Sequence, residues 1–136
     1  MPKMIFVNLP VTDLPAATRF YEALGFSRNP QFSNDQASSM VWSDTVFFML
    51  LTHEHYRSFT HLPLADARQA SAALYALSLD DRAAVDALAE AAGLAGGTLD
   101  VRAPQDLGFM YSRAFADLDG NVFEPFWMDP SDMPTE

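Results

Sequence analysis

The apolar positions of this chain fall into one pattern written twice. Two short β-prone runs, Ile5–Val11 and Leu74–Leu79, each lead into an acidic residue suited to cap a helix, Asp13 or Asp81. Leu14, Ala17, Phe20, Tyr21 and Leu24 then recur at helical spacing, as do Val85, Leu88 and Ala92 in the second stretch. Gly25 and Gly93 stand where a left-handed residue would end each helix, and Pro15 is tolerated in a first turn that needs no intrahelical donor.

After each helix the pattern turns to strands. Phe26–Phe32, Ala37–Trp42 and Val46–Thr52 are separated by Ser33-Asn34-Asp35 and Ser43-Asp44-Thr45. Thr98–Arg102, Phe109–Phe115 and Asn121–Met128 repeat the series, with breaks at Ala103-Pro104-Gln105 and Asp119-Gly120. A shift of 68 residues lays Phe6–Phe26 over Leu74–Leu94 with strand, cap, helix and stop in the same order. Each half therefore predicts β-α-β-β-β. Module one covers about 4–52 and module two about 73–128. The connector, about 53–72, predicts a loop that turns helical from Ala65. The expected class is α+β, one domain of two modules over residues 1–136.

Composition agrees with a folded core. The 136 residues suit one domain, and 49% hydrophobic against 19% charged residues argues against disorder. Eight Lys and Arg face 18 Asp and Glu, a net charge of −10, so the basic footprint that nucleic acid or an anionic membrane requires is missing. No apolar run approaches the roughly 18 residues of a spanning helix, and Met1–Pro10 does not read as a signal peptide. The absence of Cys excludes disulfides, thiolate nucleophiles and cysteine-ligated metals. These features predict a cytoplasmic protein. No phosphate-cradling glycine loop and no GxSxG elbow accompany them.

Two such modules, with FYEALGF after the first helix and DLDGNVFE before the last strand, resemble the vicinal-oxygen-chelate superfamily. That superfamily includes glyoxalase I, extradiol dioxygenases, and bleomycin- and fosfomycin-resistance proteins. FVNLPVTDL, SDTVFFMLL, PQDLGFMY and FEPFWMDP are similar to a bacterial branch usually called "predicted lactoylglutathione lyase". The resemblance covers residues 4–130. It implies two modules curved into an open cup that holds the ligand, and a homodimer.

Metal-dependent members of that superfamily take one ligand from the first strand and one from the last strand of each module. The corresponding positions are Phe6, Phe48, Leu74 and Glu124. Three of these carry no lone pair to donate, so no family-type metal is expected. A slip of one residue substitutes Val7, Met49 and Tyr75, and a slip of two reaches Asn8.

Glu124 shares a strand face with Val122, Phe126 and Met128, apolar neighbours that disfavour a charged carboxylate and raise its pKa. That suits a catalytic acid/base or a ligand anchor. The alternative is a carboxylate tied to a backbone turn or to an arginine such as Arg113. Asn8, on the face of Phe6, could orient a polar ligand group or pair with strand backbone. Tyr111 and Arg113 occupy one face of their strand, Met110 and Ser112 the other, and either pair could face the cup.

His53, Glu54, His55 and His61 form the only histidine cluster. Extended, His53 and His55 would point the same way. As a surface loop they are solvated, or they belong to a lid with Tyr56 and Phe59 packed inward.

The leading expectation is a small organic ligand held in an apolar, aromatic-lined cup by Phe6, Asn8, Phe48, Leu74, Glu124 and Phe126, without a cofactor. The rivals are a glyoxalase-type lyase or isomerase, needing a divalent Zn, Ni, Fe or Mn and using Glu124 as ligand or base, and a non-catalytic interaction module.

Overall fold

The computed structural model of the chain describes residues 2–132, with nothing stated of the Asp132 side chain. It divides into two compact units, Met1–Asp66 and Ala67–Glu136. Both are mixed α+β, as the sequence pattern predicts.

In the first unit, β1 (Ile5–Val11) leads through α1 (Leu14–Ala23) to β2 (Ser27–Asn29), β3 (Ala37–Val41) and β4 (Val46–Thr52). The sheet order is β1-β4-β3-β2, with β1 parallel to β4 and the other neighbours antiparallel. Asp13 accepts from the Ala16 amide at 3.0 Å and caps α1. Leu14, Ala17, Phe20 and Tyr21 bury the helix face against Leu9, Val11, Phe48 and Leu50 of the sheet. Pro10 lies in β1, an edge strand, where a missing N–H costs least. The strand expected over Phe26–Phe32 stops at Asn29, because Pro30 starts a 3-10 turn capped by the Asn29 side chain.

The connector departs from expectation at both ends. Residues His53–Arg57 form a short helix, α2, where a loop is predicted. Thr52 caps it by accepting from the His55 amide at 3.2 Å. No helix follows from Ala65; residues 61–73 are turns and coil.

The second unit runs β5 (Leu74–Ser78), α3 (Arg82–Leu94), β6 (Thr98–Leu99), β7 (Gln105–Asp106), β8 (Met110–Ser112), β9 (Phe115–Ala116) and β10 (Val122–Met128). β10 is central, parallel to β5 on one side and antiparallel to β8 and β9 on the other. Asp81 caps α3 as expected, accepting from Ala84 at 2.7 Å. The helix stop is not Gly93, which lies inside α3 facing the Leu99 side chain. Gly96, at φ +103°, takes the left-handed position, and the Gly97 amide donates back to the Ala92 carbonyl.

The single strand expected over Phe109–Phe115 is broken into β8 and β9 by Pro125 on the neighbouring strand. Arg113 N–H donates to the Pro125 carbonyl, but Pro125 has no N–H to return to that side. The ladder is interrupted there, at Arg113 and Ala114.

Candidate functional site

Each sheet has one face against its helix and one face away from it. In the first unit, Phe6, Asn8, Phe47, Met49 and Leu51 alternate onto the face away from α1. Phe6 stacks on Phe47 with ring centroids 4.5 Å apart. α2 folds back over the far end of this face. Asn8, Leu51, Tyr56, Phe59 and Thr60 there line a pocket of about 260 Å³. Tyr56 and Phe59 share this pocket lining with Asn8, but Phe59 is 70% exposed and is not packed inward as the lid alternative expects. The Asn8 amide nitrogen makes only a long bond, 3.4 Å, to the Phe6 carbonyl, and its oxygen is left to accept. His53 and His55 lie on a helix, where residues two apart diverge, so they do not pinch an ion. His55 instead packs edge-on against Phe59.

In the second unit, Leu74, Val122, Glu124, Phe126 and Ser112 lie on the face away from α3. Phe123 and Pro125, between them, are buried on the helix side. Glu124 is not surrounded by hydrocarbon alone. Arg102 reaches it with Nη2 at 3.1 Å and Nε at 3.2 Å, both to Oε2. Arg102 also donates to Ser112 Oγ at 3.2 Å and to the Ala103 carbonyl at 3.1 Å. The arginine partner weighed from the sequence was Arg113, and that identity is corrected. The strand expected over Thr98–Arg102 stops at Leu99, so Arg102 lies in irregular chain beyond β6.

Arg113 and Tyr111 face α3. Arg113 holds Asp100 through two nitrogens and Asp86 through a third at 3.1 Å, and these carboxylates raise its pKa further. Tyr111 donates to Asp86 at 2.6 Å, a bond that only the neutral phenol can make, and its pKa is raised accordingly. Arg82 lies 5.2 Å from the ring centres of both Tyr111 and Trp127 and holds Asp106 through two bonds. That pairing draws the Asp106 pKa down to about 2.

The strand ladders settle the register that the sequence left open. Asn8 pairs with Met49, and Ala76, 68 residues after Asn8, pairs with Glu124. Met49 is therefore the counterpart of Glu124. Phe48, assigned to the ligand-binding face from the sequence, is the counterpart of Phe123 and is buried against α1, edge-on to Phe26. An alignment of Val46-Phe47 with Val122-Phe123 is one residue out of this register, because Phe47, not Val46, corresponds to Val122.

With this register the first unit brings Phe6 and Met49 to the two ligand positions, and the second brings Leu74 and Glu124. Neither phenylalanine nor leucine donates a lone pair, a thioether is a weak donor to hard ions, and Glu124 is already held by a cation. This residue set does not fit the metal that the resemblance implies. Among the described residues no three His, Asp or Glu side chains gather as an alternative ligand group.

No curated protein matches the chain. Among solved structures, a hypothetical protein from S. aureus is 27% identical over 93% of this chain and 95% of its own, with a TM-score of 0.77. A glyoxalase/bleomycin resistance protein/dioxygenase family enzyme from Burkholderia phytofirmans PsJN is 22% identical over 93% and 99%, with a TM-score of 0.75. The fosfomycin resistance protein FosX from Mesorhizobium loti is 19% identical over 97% of each chain, with a TM-score of 0.70. At these lower identities the likeness is one of fold. The family model for the Glyoxalase/Bleomycin resistance protein/Dioxygenase superfamily matches residues 3–124, and the chain belongs to that superfamily.

Proposed function

We propose that this protein binds a small organic molecule without a resident metal. The observation that carries the reading is the pocket under α2, where Leu51, Tyr56 and Phe59 supply apolar and aromatic walls and Asn8 a polar anchor. An apolar concavity with few fixed polar groups is what a small-molecule site requires. At about 260 Å³ it lies just below the roughly 300–1,000 Å³ of sites for drug-sized ligands, so the ligand is small. Phe6, Leu74, Glu124 and Phe126 are further candidates for ligand contact on the open sheet faces. Homodimer formation belongs to the same reading.

Two measurements test it. A ligand-observed NMR screen of small neutral aromatics is expected to give binders whose contacts map to Asn8, Tyr56 and Thr60 and weaken at least about fivefold in Asn8→Leu. Metal analysis of protein purified without a His tag is expected to find no stoichiometric transition metal. About one ion per chain, lost in Glu124→Gln, would overturn the reading in favour of a metal-dependent lyase.

A further inference from the structure

We infer that Arg102 has taken the place of the metal as the cation at Glu124, and that the neutral pair favours an uncharged polar ligand over an ion. An amide or a hydroxy-carbonyl group has that chemistry. The inference rests on reading the open face as a ligand-binding face.

The guanidinium is fixed before any ligand arrives. Nε and Nη2 hold one carboxylate oxygen, Nη2 also holds Ser112, and Nη1 holds the Ala103 carbonyl. Both partners are part-exposed, 32% for the Arg102 side chain and 22% for that of Glu124. The pair is therefore held in place by the protein yet still open to solvent on one side.

Charge neutrality determines the class of ligand. A free carboxylate would favour a cation, and a lone arginine would favour an anion. Paired, each offsets the other's field. What remains is one acceptor, Glu124 Oε1, which takes no bond from the described residues, and one donor. Of the two hydrogens on Nη1, the Ala103 carbonyl takes one. A primary amide, donor and acceptor at once, can bond to either. The apolar remainder of the ligand would lie against Leu74, which is 58% exposed, and Phe126 on the same sheet face.

The test uses benzamide, benzoate and benzylammonium as probes of one shape and three charges, titrated into the full chain and followed by backbone amide shifts. Benzamide is expected to move the signals of residues 102, 112 and 124 and to bind at least about fivefold more tightly than either ion. Arg102→Met and Glu124→Gln, each with an intact amide spectrum, are expected to abolish that preference. Tighter binding of benzoate or benzylammonium would overturn the inference. So would benzamide shifts confined to Asn8, Tyr56 and Thr60, although that result would leave the pocket reading standing. A spectrum unmoved by all three probes also overturns it. As a second readout, Zn²⁺ titrated into the wild type is expected to leave the Glu124 signal in place; one-to-one uptake there would show that Arg102 has not displaced the metal.

Discussion

The two units share a ladder and differ in chemistry at matched positions. Asn8 pairs with Met49 in the first, and Ala76 pairs with Glu124 in the second. The polar residue has changed strands. In the first unit it lies on the edge strand beneath α2; in the second it lies on the central strand beside Arg102. The helix-facing counterparts Phe48 and Phe123 are the same residue, each 1% exposed. Packing holds one face of each sheet to large apolar residues, because a cavity or a buried polar atom there is costly. The opposite face carries no such demand and can diverge.

The largest effects should therefore fall on the shared face. Phe48→Ala and Phe123→Ala are each expected to cost about 3–5 kcal/mol in denaturant unfolding, whereas Phe6→Ala and Leu74→Ala, half exposed, should stay within about 0.5 kcal/mol. Similar losses at all four positions would break the division into a packing face and a free face.

A second contrast lies in the turns. The DLDGN segment is held by Asp117, whose carboxylate accepts from the amides of Asp119 and Asn121. Gly120 has φ +92°, and a Cβ there would lie 2.7 Å from the Arg68 backbone nitrogen. Gly120→Ala is expected to cost about 2–3 kcal/mol through strain and displacement of the connector. Gly25, also left-handed, has nothing within 4 Å of the same atom, so Gly25→Ala should cost only about 1 kcal/mol. Equal losses, measured by thermal unfolding, would show that backbone conformation alone matters.

The smallest expected effect is on pH dependence. The folded pKa of Asp106, about 2, lies below its unfolded value of about 3.9. Its stabilising contribution is full above the unfolded value and is lost as pH falls through about 2. Arg82→Met should flatten that part of the acid unfolding profile. An unchanged profile would show that the Arg82 pair does not hold the proton equilibrium.

How far the sequence could be read depended on the range of the interactions. The caps at Asp13 and Asp81 and the whole of β4 were legible because neighbours along the chain determine them. Gly93 is not the stop because Gly96 and Gly97, three and four residues on, form a better terminus. α2 carries local signals of its own, Thr52 as its cap and Glu54 in its first turn. The split of β8 from β9 needed Pro125, a residue on another strand.

The sequence alone determined the α+β class, the βαβββ order of the first half and the strand–cap–helix opening of the second, because periodicity and caps are local. Only the tertiary structure decided that Met49, not Phe48, matches Glu124, since sheet register is fixed by pairing between distant strands. It alone brought Arg102 to Glu124 across 22 residues of chain, and Tyr56 and Phe59 to Asn8. Side chains that meet through folding leave no period in the sequence.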